Sequence, residues 1–422
     1  MPNDRLARSA YLSWVVVFAA CVGDAPDEDP GTAADAVPSP LAQPVALANP
    51  AAAGSMTPFL HADDRGVVRM SWLEPADTGH ALRFAELNGT TWSEPRTIAQ
   101  STQWFVNWAD FPSLLSLSDG TLAAHWLERE GPGTYAYGVR IAVSNDGGAT
   151  WSPAVTPHRD GKLVEHGFVS MFPVSDGFGA VWLDGRNMAG SEGAGGHGMG
   201  ADMTLRATTI EAGGALGEER LVDDRTCECC QTDVAVAAGR PVLVYRDRSP
   251  DEVRDIAISR YEDGGWTAPR TVHADGWNIL ACPVNGPAIA ADGDRIAVAW
   301  FTAAQDTPRV RIAFSTDGGD TFGAPVRVDE GDPAGRVDVL LLDGGDALVS
   351  WLEHGEPATV RIRHIAADGR PGPSTIVAET SGERASGFPR MARTAAGVLF
   401  AWTVPGEPGQ LRTALAATGE TH

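Results

Sequence analysis

From Pro44 onward the chain repeats one order of apolar and polar positions. Each unit contains an apolar strand, a turn rich in Gly and Asp, a second strand ending in an aromatic residue, a loop, a third strand containing Arg, and a short closing strand. The second-strand aromatic residues recur about every fifty to sixty residues, at Trp72, Trp126, Trp182, Tyr245, Trp300, Trp351 and Trp402. Four short strands in a unit of this length are typical of a propeller blade. The sequence therefore predicts an all-β fold, a seven-bladed β-propeller, with a six-bladed propeller as the alternative.

The two ends of the repeat region predict how the ring closes. The last unit contains only three predicted strands, while residues 43–47 form a spare strand before the first unit. Pairing of the spare strand with the last unit would remove the exposed sheet edges. We therefore predict a single propeller domain over residues 43–422, completed by its own N-terminal strand.

The residues before the propeller have the order of a bacterial lipoprotein leader. Arg5 and Arg8 precede an apolar stretch at residues 11–18, and small residues lead up to Cys21. This resembles a lipobox, whose cysteine is lipidated and becomes the mature N-terminus; an ordinary cleaved signal peptide is the alternative. We expect a signal peptide at residues 1–21, a flexible tether at residues 22–42, and a protein anchored by lipid in the bacterial cell envelope, at the outer membrane facing the periplasm.

Composition and charge restrict the partners. Hydrophobic residues make up 43% of the chain and charged residues 21%, which is globular composition. The net charge of −23 opposes binding to nucleic acid or to an anionic membrane surface, because both carry the same sign. No apolar stretch is long enough to span a bilayer. We expect a monomer that contacts the membrane only through its lipid anchor.

Two turns carry one motif, Ser-x-Asp-Gly-Gly-x-Thr followed by an aromatic residue, at residues 144–151 and 315–322. Glycine accepts the positive φ of such a turn, and the Asp and Ser oxygens accept backbone N–H bonds. These turns resemble the Asp-boxes of the sialidase (neuraminidase) superfamily and its BNR-repeat propellers. The resemblance extends over about residues 43–417 and implies the fold. The motif itself is structural and carries no chemistry.

The resemblance also implies a type of site. In that superfamily three arginines hold the substrate carboxylate, a Tyr assisted by Glu is the nucleophile, and an Asp is the acid/base. For this chain it implies an exo-sialidase-like glycoside hydrolase whose partner is a carbohydrate or another small acidic ligand. The candidates lie on the face where blade connections and second-to-third strand loops meet. They are Asp247, Asp184 and Tyr245 as catalytic residues and Arg186, Arg246, Arg248, Trp108 and Trp277 as substrate-binding residues, with Asp110, Arg336, Arg384 and Arg390 as further members.

Four cysteines form a second candidate site. Cys227, Cys229 and Cys230 stand in one short stretch, and Cys282 stands at the equivalent point one unit later. First strands of adjacent blades lie side by side, so we predict that Cys282 bonds to, or shares a metal with, at least one of the other three. Three interpretations stay open: two disulfides, one disulfide with two free thiols, or a metal site in which all four cysteines hold copper or zinc.

The fourth unit departs most from its siblings. Tyr245 replaces the structural Trp, which makes a core role the alternative to a catalytic one, and Asp255 stands where the third-strand alignment expects Arg. Function tends to lie where a repeat is broken. Three functions remain open, because the fold does not decide among them: an exported sialidase-like propeller that acts on or binds an acidic glycan, a metal-binding propeller that uses the cysteines, and a non-catalytic binding propeller.

Overall fold

The computed structural model describes residues 37–188 and 202–419, and nearly all of its regular structure is β-strand. In chain order the strands are β1 (Val45–Leu47), β2 (Met56–Ala62), β3 (Val68–Pro75), β4 (His80–Asn88), β5 (Thr91–Trp92), β6 (Arg96–Ser101), β7 (Ser113–Ser116), β8 (Leu122–Arg129), β9 (Tyr137–Ser144), β10 (His166–Val174), β11 (Gly177–Asp184), β12 (Met203–Glu211), β13 (Arg220–Thr226), β14 (Asp233–Ala237), β15 (Arg240–Arg246), β16 (Ile256–Glu262), β17 (Gly265–Trp266), β18 (Arg270–His273), β19 (Ala288–Asp292), β20 (Arg295–Thr302), β21 (Arg309–Ser315), β22 (Val326–Arg327), β23 (Pro333–Leu341), β24 (Ala347–Glu353), β25 (Ala358–Ile365), β26 (Pro371–Thr380), β27 (Arg390–Thr394), β28 (Gly397–Val404) and β29 (Gln410–Ala417). Short 3₁₀ helices lie at Arg186–Met188, Ala304–Asp306 and Arg384–Ser386. No helix in this part of the chain is long and apolar enough to cross a membrane.

The strands form seven antiparallel sheets, and each sheet is one blade. Blades 1 to 7 consist of β2 to β6, β7 to β9, β10 to β13, β14 to β18, β19 to β22, β23 to β26, and β27 to β29 with β1. The first strand of every blade contacts the first strand of the next around the whole ring, including β27 with β2. The seven-bladed propeller is confirmed, and the six-bladed alternative is excluded.

The N-terminal strand closes the ring as predicted. β1 pairs antiparallel with β29, with Val45 opposite Leu415 and Leu47 opposite Thr413. The pairing continues upstream, because Leu41 bridges Thr418 and the amide of residue 42 donates to a carbonyl of β29. The propeller's edge therefore includes residue 41, slightly before the predicted boundary at residue 43. The predicted leader and the rest of the tether, residues 1–36, lie outside the described residues.

The second-strand Trp explains the regularity of the repeat. In six blades this Trp stands directly opposite the third-strand Arg, as Trp72 does with Arg83. In four blades the indole N–H donates to an acid two residues later, in the pairs Trp72–Glu74, Trp126–Glu128, Trp182–Asp184 and Trp351–Glu353. A buried indole needs a partner for its one donor. In these four blades the hydrogen bond from the buried indole explains both the Trp and the acid.

Blade 4 breaks this pattern, but not in the register that the sequence predicted. Tyr245 stands opposite Ala257, so the third-strand alignment that placed Asp255 there was wrong by two residues. The Tyr245 hydroxyl donates to Asp223 of blade 3. Asp247 occupies the position of the repeat's acid and therefore has no indole donor.

The two Gly-Gly turns repeat one set of hydrogen bonds. In the first turn Gly148 N donates to Ser144 Oγ at 2.8 Å and Thr150 N donates to Asp146 Oδ1 at 2.9 Å. The second turn has the same bonds, from Gly319 to Ser315 and from Thr321 to Asp317. These polar side chains accept hydrogen bonds from their own turns, which agrees with a structural role.

Candidate active site

A cavity of about 260 Å³ opens on the face where the blade connections meet, and we call it the mouth cavity. Its walls come from the connections into blades 2, 3, 4, 5 and 7 and from the start of β9. Aromatic rings form much of the wall, with a few polar groups among them. The lining residues are Phe105, Asn107, Trp108, Ala109, Tyr135, Tyr137, Glu165, Phe168, Cys229, Cys282, Val284 and Arg384.

Tyr137 lies between two carboxyl groups in the wall of the mouth cavity. Its hydroxyl oxygen is 2.8 Å from Asp110 Oδ2 and 2.8 Å from Glu165 Oε1. The ring stacks on Phe105 with centroids 3.7 Å apart, and all three polar groups are buried. A phenol has one hydrogen and can donate to one carboxylate only. The second contact therefore requires a proton on one of the two carboxyl groups.

The environment of the three groups favours that shared proton. Burial raises the pKa of Asp110 to about 7, although hydrogen bonds from Phe168 N and Tyr137 oppose the rise. Burial also raises the pKa of Glu165 to about 8 against the hydrogen bond from Tyr137. Burial and the two carboxylates raise the pKa of Tyr137 well above its usual value. Near neutral pH the cluster can both release and accept a proton, as a general acid/base site must.

The backbone of blade 3 is shaped to hold Asp110. The amide of Phe168 donates to Asp110 Oδ1 at 2.7 Å, and Phe168 has a φ of 53°, in the left-handed region. A bulky residue in this region is strained, and such strain is retained where the surrounding structure enforces it. The preceding Gly167 leaves room for the carboxylate, because a Cβ there would overlap Asp110 Oδ2 and lie 2.9 Å from the Tyr137 ring.

Gly167→Ala is expected to lower the free energy of unfolding by about 1 to 3 kcal/mol, because the added methyl group must displace Asp110 or Tyr137. Gly213→Ala is the matched control, since a Cβ at Gly213 has no neighbour within 4 Å. It should change stability by less than about 0.5 kcal/mol. Urea unfolding followed by tryptophan fluorescence measures both. Equal stability of the two variants would contradict this close packing of the cluster.

Two arginines give one side of the mouth cavity a positive charge. Arg384 is exposed on the rim, and Arg336 lies against Trp108 with its guanidinium carbon 4.9 Å from the ring centroid. Among the described residues the Arg336 guanidinium donates to the carbonyl oxygens of Glu383 and Gly387 and to the hydroxyl of Ser386. Burial and the charge of Arg384 lower the pKa of Arg336 to about 10. Within the described ranges neither arginine has an ion pair, so an anionic ligand would offset their repulsion.

Asp184 and Arg186 belong to a closed ion-pair network. Arg186 binds both Asp184 oxygens, at 2.7 and 2.6 Å, and also pairs with Glu219 at 2.7 Å. Burial alone would raise the pKa of Asp184, but Arg186, His166 and the Trp182 indole together lower it. Asp184 is the acid of the Trp repeat, and the geometry favours a structural role for the pair.

Tyr245 and Asp247 lie together at the end of β15. The Tyr245 hydroxyl is 2.5 Å from Asp223 Oδ2, and burial and Asp223 raise the pKa of Tyr245 strongly. Burial, then the charge of Asp223, raise the pKa of Asp247 to about 6. Neither residue lines the mouth cavity. Tyr245 thus packs as the core residue that its repeat position suggested, and a catalytic role for Asp247 stays a prediction.

Arg246 points inward and supports three carbonyl groups. It donates to the carbonyl oxygens of Asn285, Arg254 and Phe301 over distances of 2.6 to 3.0 Å. Its guanidinium carbon lies 4.8 Å from the centroid of the Trp277 ring, and both side chains are buried. The arrangement favours a structural role for Arg246 and Trp277 rather than contact with a ligand. Of the five predicted substrate-binding residues Trp108 lines the mouth cavity, and of the further candidates Arg384 does.

Arg248 forms ion pairs next to the cysteines. It pairs with Glu228 and Glu252, each at 2.6 Å, and Arg254 pairs with the same two carboxylates. Arg254 Nη1 also lies 3.3 Å from Cys227 Sγ. Burial opposes ionisation of Cys227, but the hydrogen bond with Cys230 and the charge of Arg254 lower its pKa to about 7.

The predicted link between Cys282 and the other cysteines is confirmed. Cys282 forms a disulfide with Cys229, with Cα atoms 6.1 Å apart, while Cys227 and Cys230 are free thiols and buried. Of the three interpretations drawn from the sequence, the structure has one disulfide and two free thiols. The disulfide lines the mouth cavity, so the two candidate sites share a wall.

Two other groups have the spacing of metal ligands, namely Glu130 with His158 and His166, and His166 with Asp160 and Asp184. Protein donors already occupy most of their ligand atoms. Val139 N donates to His158 Nε2 at 3.2 Å, and Arg140 pairs with Glu130 at 2.8 Å. These groups are therefore poorer ligand sets than the cysteines.

Sequence reasoning did not single out Tyr137 and Glu165. Asp110 is among the candidates that the sequence predicts for this face, whereas Tyr137 and Glu165 are not. The available signal was the position of Tyr137 as the first residue of β9, directly after a second-to-third strand loop. Polar residues at strand ends on the open face are therefore as good candidates for a site as residues that break the repeat.

No protein-family model matches the chain, and no curated protein matches its sequence. Among solved structures, a protein of unknown function from Dyadobacter fermentans aligns with 90% of this chain and 99% of its own, at 17% identity and a TM-score of 0.52. Polysaccharide lyase Uly1 aligns with 88% of this chain and 92% of its own, at 10% identity and a TM-score of 0.51. The intramolecular trans-sialidase from Ruminococcus gnavus aligns with 86% and 94%, at 12% identity and a TM-score of 0.45.

The likenesses to the Dyadobacter fermentans protein and to polysaccharide lyase Uly1, with TM-scores of 0.52 and 0.51, show the propeller fold alone. What this chain does must be argued from its own mouth cavity.

Proposed function

We propose that this propeller binds an acidic glycan in the mouth cavity and cleaves a glycosidic bond there, with Tyr137 as the nucleophile. The observation that carries the proposal is the combination of a Tyr held between two carboxyl groups and two arginines without carboxylate partners among the described residues. The first feature suits covalent catalysis, and the second suits an anionic substrate.

The arginines would set the charge of the ligand. Arg384 is exposed on the rim, and its guanidinium can bind a carboxylate or sulfate through two parallel hydrogen bonds. Trp108 lies beside it, stacked on Phe388 with centroids 5.9 Å apart, and offers an aromatic surface for a sugar ring. The net charge of −23 repels anionic polymers at long range, so recognition would depend on this local positive site.

The buried cluster would supply the chemistry. As the Tyr137 oxygen bonds to the anomeric carbon, whichever of Asp110 and Glu165 is ionised accepts the phenolic proton, the glycosidic C–O bond breaks, and the leaving-group oxygen takes a proton from solvent in the open cavity. Water then attacks the anomeric carbon and releases a proton to solvent, the bond from that carbon to the Tyr137 oxygen breaks, and the same carboxyl group returns its proton to Tyr137. The other carboxyl group, which carries the shared proton, holds Tyr137 from the opposite side. Tyr137 and Glu165 thus replace the predicted Tyr245 and Asp247 in the proposed mechanism.

Turnover and binding can be tested separately. The purified protein is incubated with fluorogenic sialosides and with uronate-containing oligosaccharides, and the products are followed by fluorescence and mass spectrometry. Binding is measured on an array of sialylated, uronate and sulfated glycans beside their neutral counterparts. We expect release of the aglycone from at least one acidic substrate and binding that prefers acidic over neutral glycans.

The outcomes distinguish the competing functions. Binding that prefers acidic glycans without any turnover would identify a non-catalytic binding propeller. Formation of unsaturated uronates would show that the bond is cleaved by elimination rather than by hydrolysis. Equal binding of neutral and acidic glycans would remove the role of the arginines. Absence of both turnover and glycan binding in every assay would refute the proposal.

A further inference from the structure

The sulfur atoms of four cysteines lie close to one another beside the mouth cavity. Cys227, Cys229 and Cys230 belong to one blade connection, and Cys282 belongs to the next. The Sγ atoms of Cys227, Cys229 and Cys282 all lie within 4.8 Å of one another. Cys230 Sγ lies outside this group of three but 3.2 Å from Cys227 Sγ, so that a fourth sulfur stands next to it. Neither the fold nor the proposed glycan site explains why a disulfide should have two buried thiols beside it.

The spacing is that of a thiolate metal site. A tetrahedral Zn²⁺ with Zn–S bonds of about 2.3 Å holds its sulfur atoms about 3.8 Å apart. Cys229 and Cys282 are bonded to each other, Cys227 Sγ lies within 4.8 Å of both, and Cys230 Sγ lies 3.2 Å from Cys227 Sγ. Once the disulfide is opened, side-chain rotations that separate Cys229 from Cys282 and turn Cys230 toward the other three would place four reduced cysteines around one ion. Soft thiolate ligands select zinc or copper(I), and a set of four favours zinc.

Hydrogen-bond donors already face the sulfur atoms. Arg254 Nη1 lies 3.3 Å from Cys227 Sγ, and the backbone amide of Asn285 points at Cys230. Arg254 is fixed in turn by Glu228 and Glu252, at 2.6 and 3.0 Å. Outer groups of this kind orient metal ligands and offset the negative charge of a four-thiolate site.

We propose that, once a dithiol reductant has opened the Cys229–Cys282 disulfide, the four cysteines bind one Zn²⁺ ion between blades 4 and 5. In the first step the reductant's two thiols become a disulfide, and their two hydrogens and two electrons convert the protein disulfide to two thiols. In the second step the four thiols lose their protons to solvent and their sulfurs bind the ion. The ion and the disulfide are then alternative cross-links in the wall of the mouth cavity. This inference does not depend on the proposed glycan activity.

The test uses the full chain carrying Cys21→Ser, which leaves the four cysteines of the cluster as its only thiols. The protein is reduced without oxygen, freed of reductant and titrated with Zn²⁺, and with Co²⁺ as a spectroscopic probe. We expect one ion per chain and the intense absorption of tetrahedral cobalt with thiolate charge-transfer bands. The oxidised protein should bind no stoichiometric ion. Cys227→Ser and Cys282→Ser should each weaken binding by more than about 100-fold, since each removes a ligand.

The chain with Cys21 intact is the matched control and should show the same affinity per cluster. Circular dichroism of the reduced protein checks that the propeller remains folded without the disulfide. Failure of the reduced, folded protein to bind one Zn²⁺ would overturn the inference, as would unfolding on reduction. Undiminished binding by either Cys227→Ser or Cys230→Ser would also overturn it, because three sulfurs would then suffice.

Discussion

Tyr137→Phe is expected to lower kcat/KM for an acidic glycoside by at least about 100-fold, while Tyr245→Phe keeps it within about threefold. Both changes remove one buried hydroxyl group that donates to a carboxylate, at 2.8 Å in Tyr137 and at 2.5 Å in Tyr245. The two variants therefore have similar structural costs, of about 1 kcal/mol each. Only Tyr137 lines the mouth cavity, so only its loss should stop the reaction.

The pair also separates catalysis from binding. Tyr137→Phe keeps the ring that stacks on Phe105, and it should bind the acidic glycan as well as the parent protein. Steady-state kinetics and glycan titration measure the two properties on the same preparations. A Tyr137→Phe variant with full turnover would exclude the nucleophile role, and loss of turnover in Tyr245→Phe alone would return the site to the residues predicted from the sequence.

The fold was predictable because its signals are local. The spacing of Trp72, Trp126 and their equivalents reflects a buried indole that six of the seven blades repeat at one position of the second strand, in four of them with a bonded acid two residues later. Ring closure followed from the missing strand of the last unit. A link from Cys282 to one of the other three cysteines followed from the side-by-side arrangement of first strands in the ring, although the sequence did not single out Cys229 as its partner.

The site was harder to predict because its members are selected by what they contact. Asp184 stands at the acid position of the Trp repeat, but its bond with the Trp182 indole, which favours a structural role, is visible only in the structure. Arg246 stands next to Asp247 in sequence but points into the protein, toward carbonyl groups from other strands. Tyr137 and Glu165 meet across two blades, and no periodic pattern in the sequence joins them.

Arg246→Ala and Arg384→Ala are expected to have opposite effects on stability and on ligand binding. Removal of the Arg246 guanidinium leaves the buried carbonyl groups of Asn285, Arg254 and Phe301 without this donor. Leaving buried polar groups unpaired is among the costliest single changes, so we expect a loss of about 3 to 5 kcal/mol in the free energy of unfolding. Ligand affinity of the molecules that remain folded should stay near the parent value.

Arg384→Ala removes an exposed charge that has no ion pair within the described residues. Its stability should stay within about 0.5 kcal/mol of the parent protein or rise slightly, because the repulsion of Arg336 is relieved. Affinity for the acidic glycan should fall by about 10- to 100-fold, the size expected for one charge-assisted hydrogen-bonding group. Urea unfolding and glycan titration of both variants give the four values. If Arg246→Ala instead proved stable and lost the ligand, Arg246 would be a binding residue, and the inward position of its guanidinium would have to change when the ligand binds.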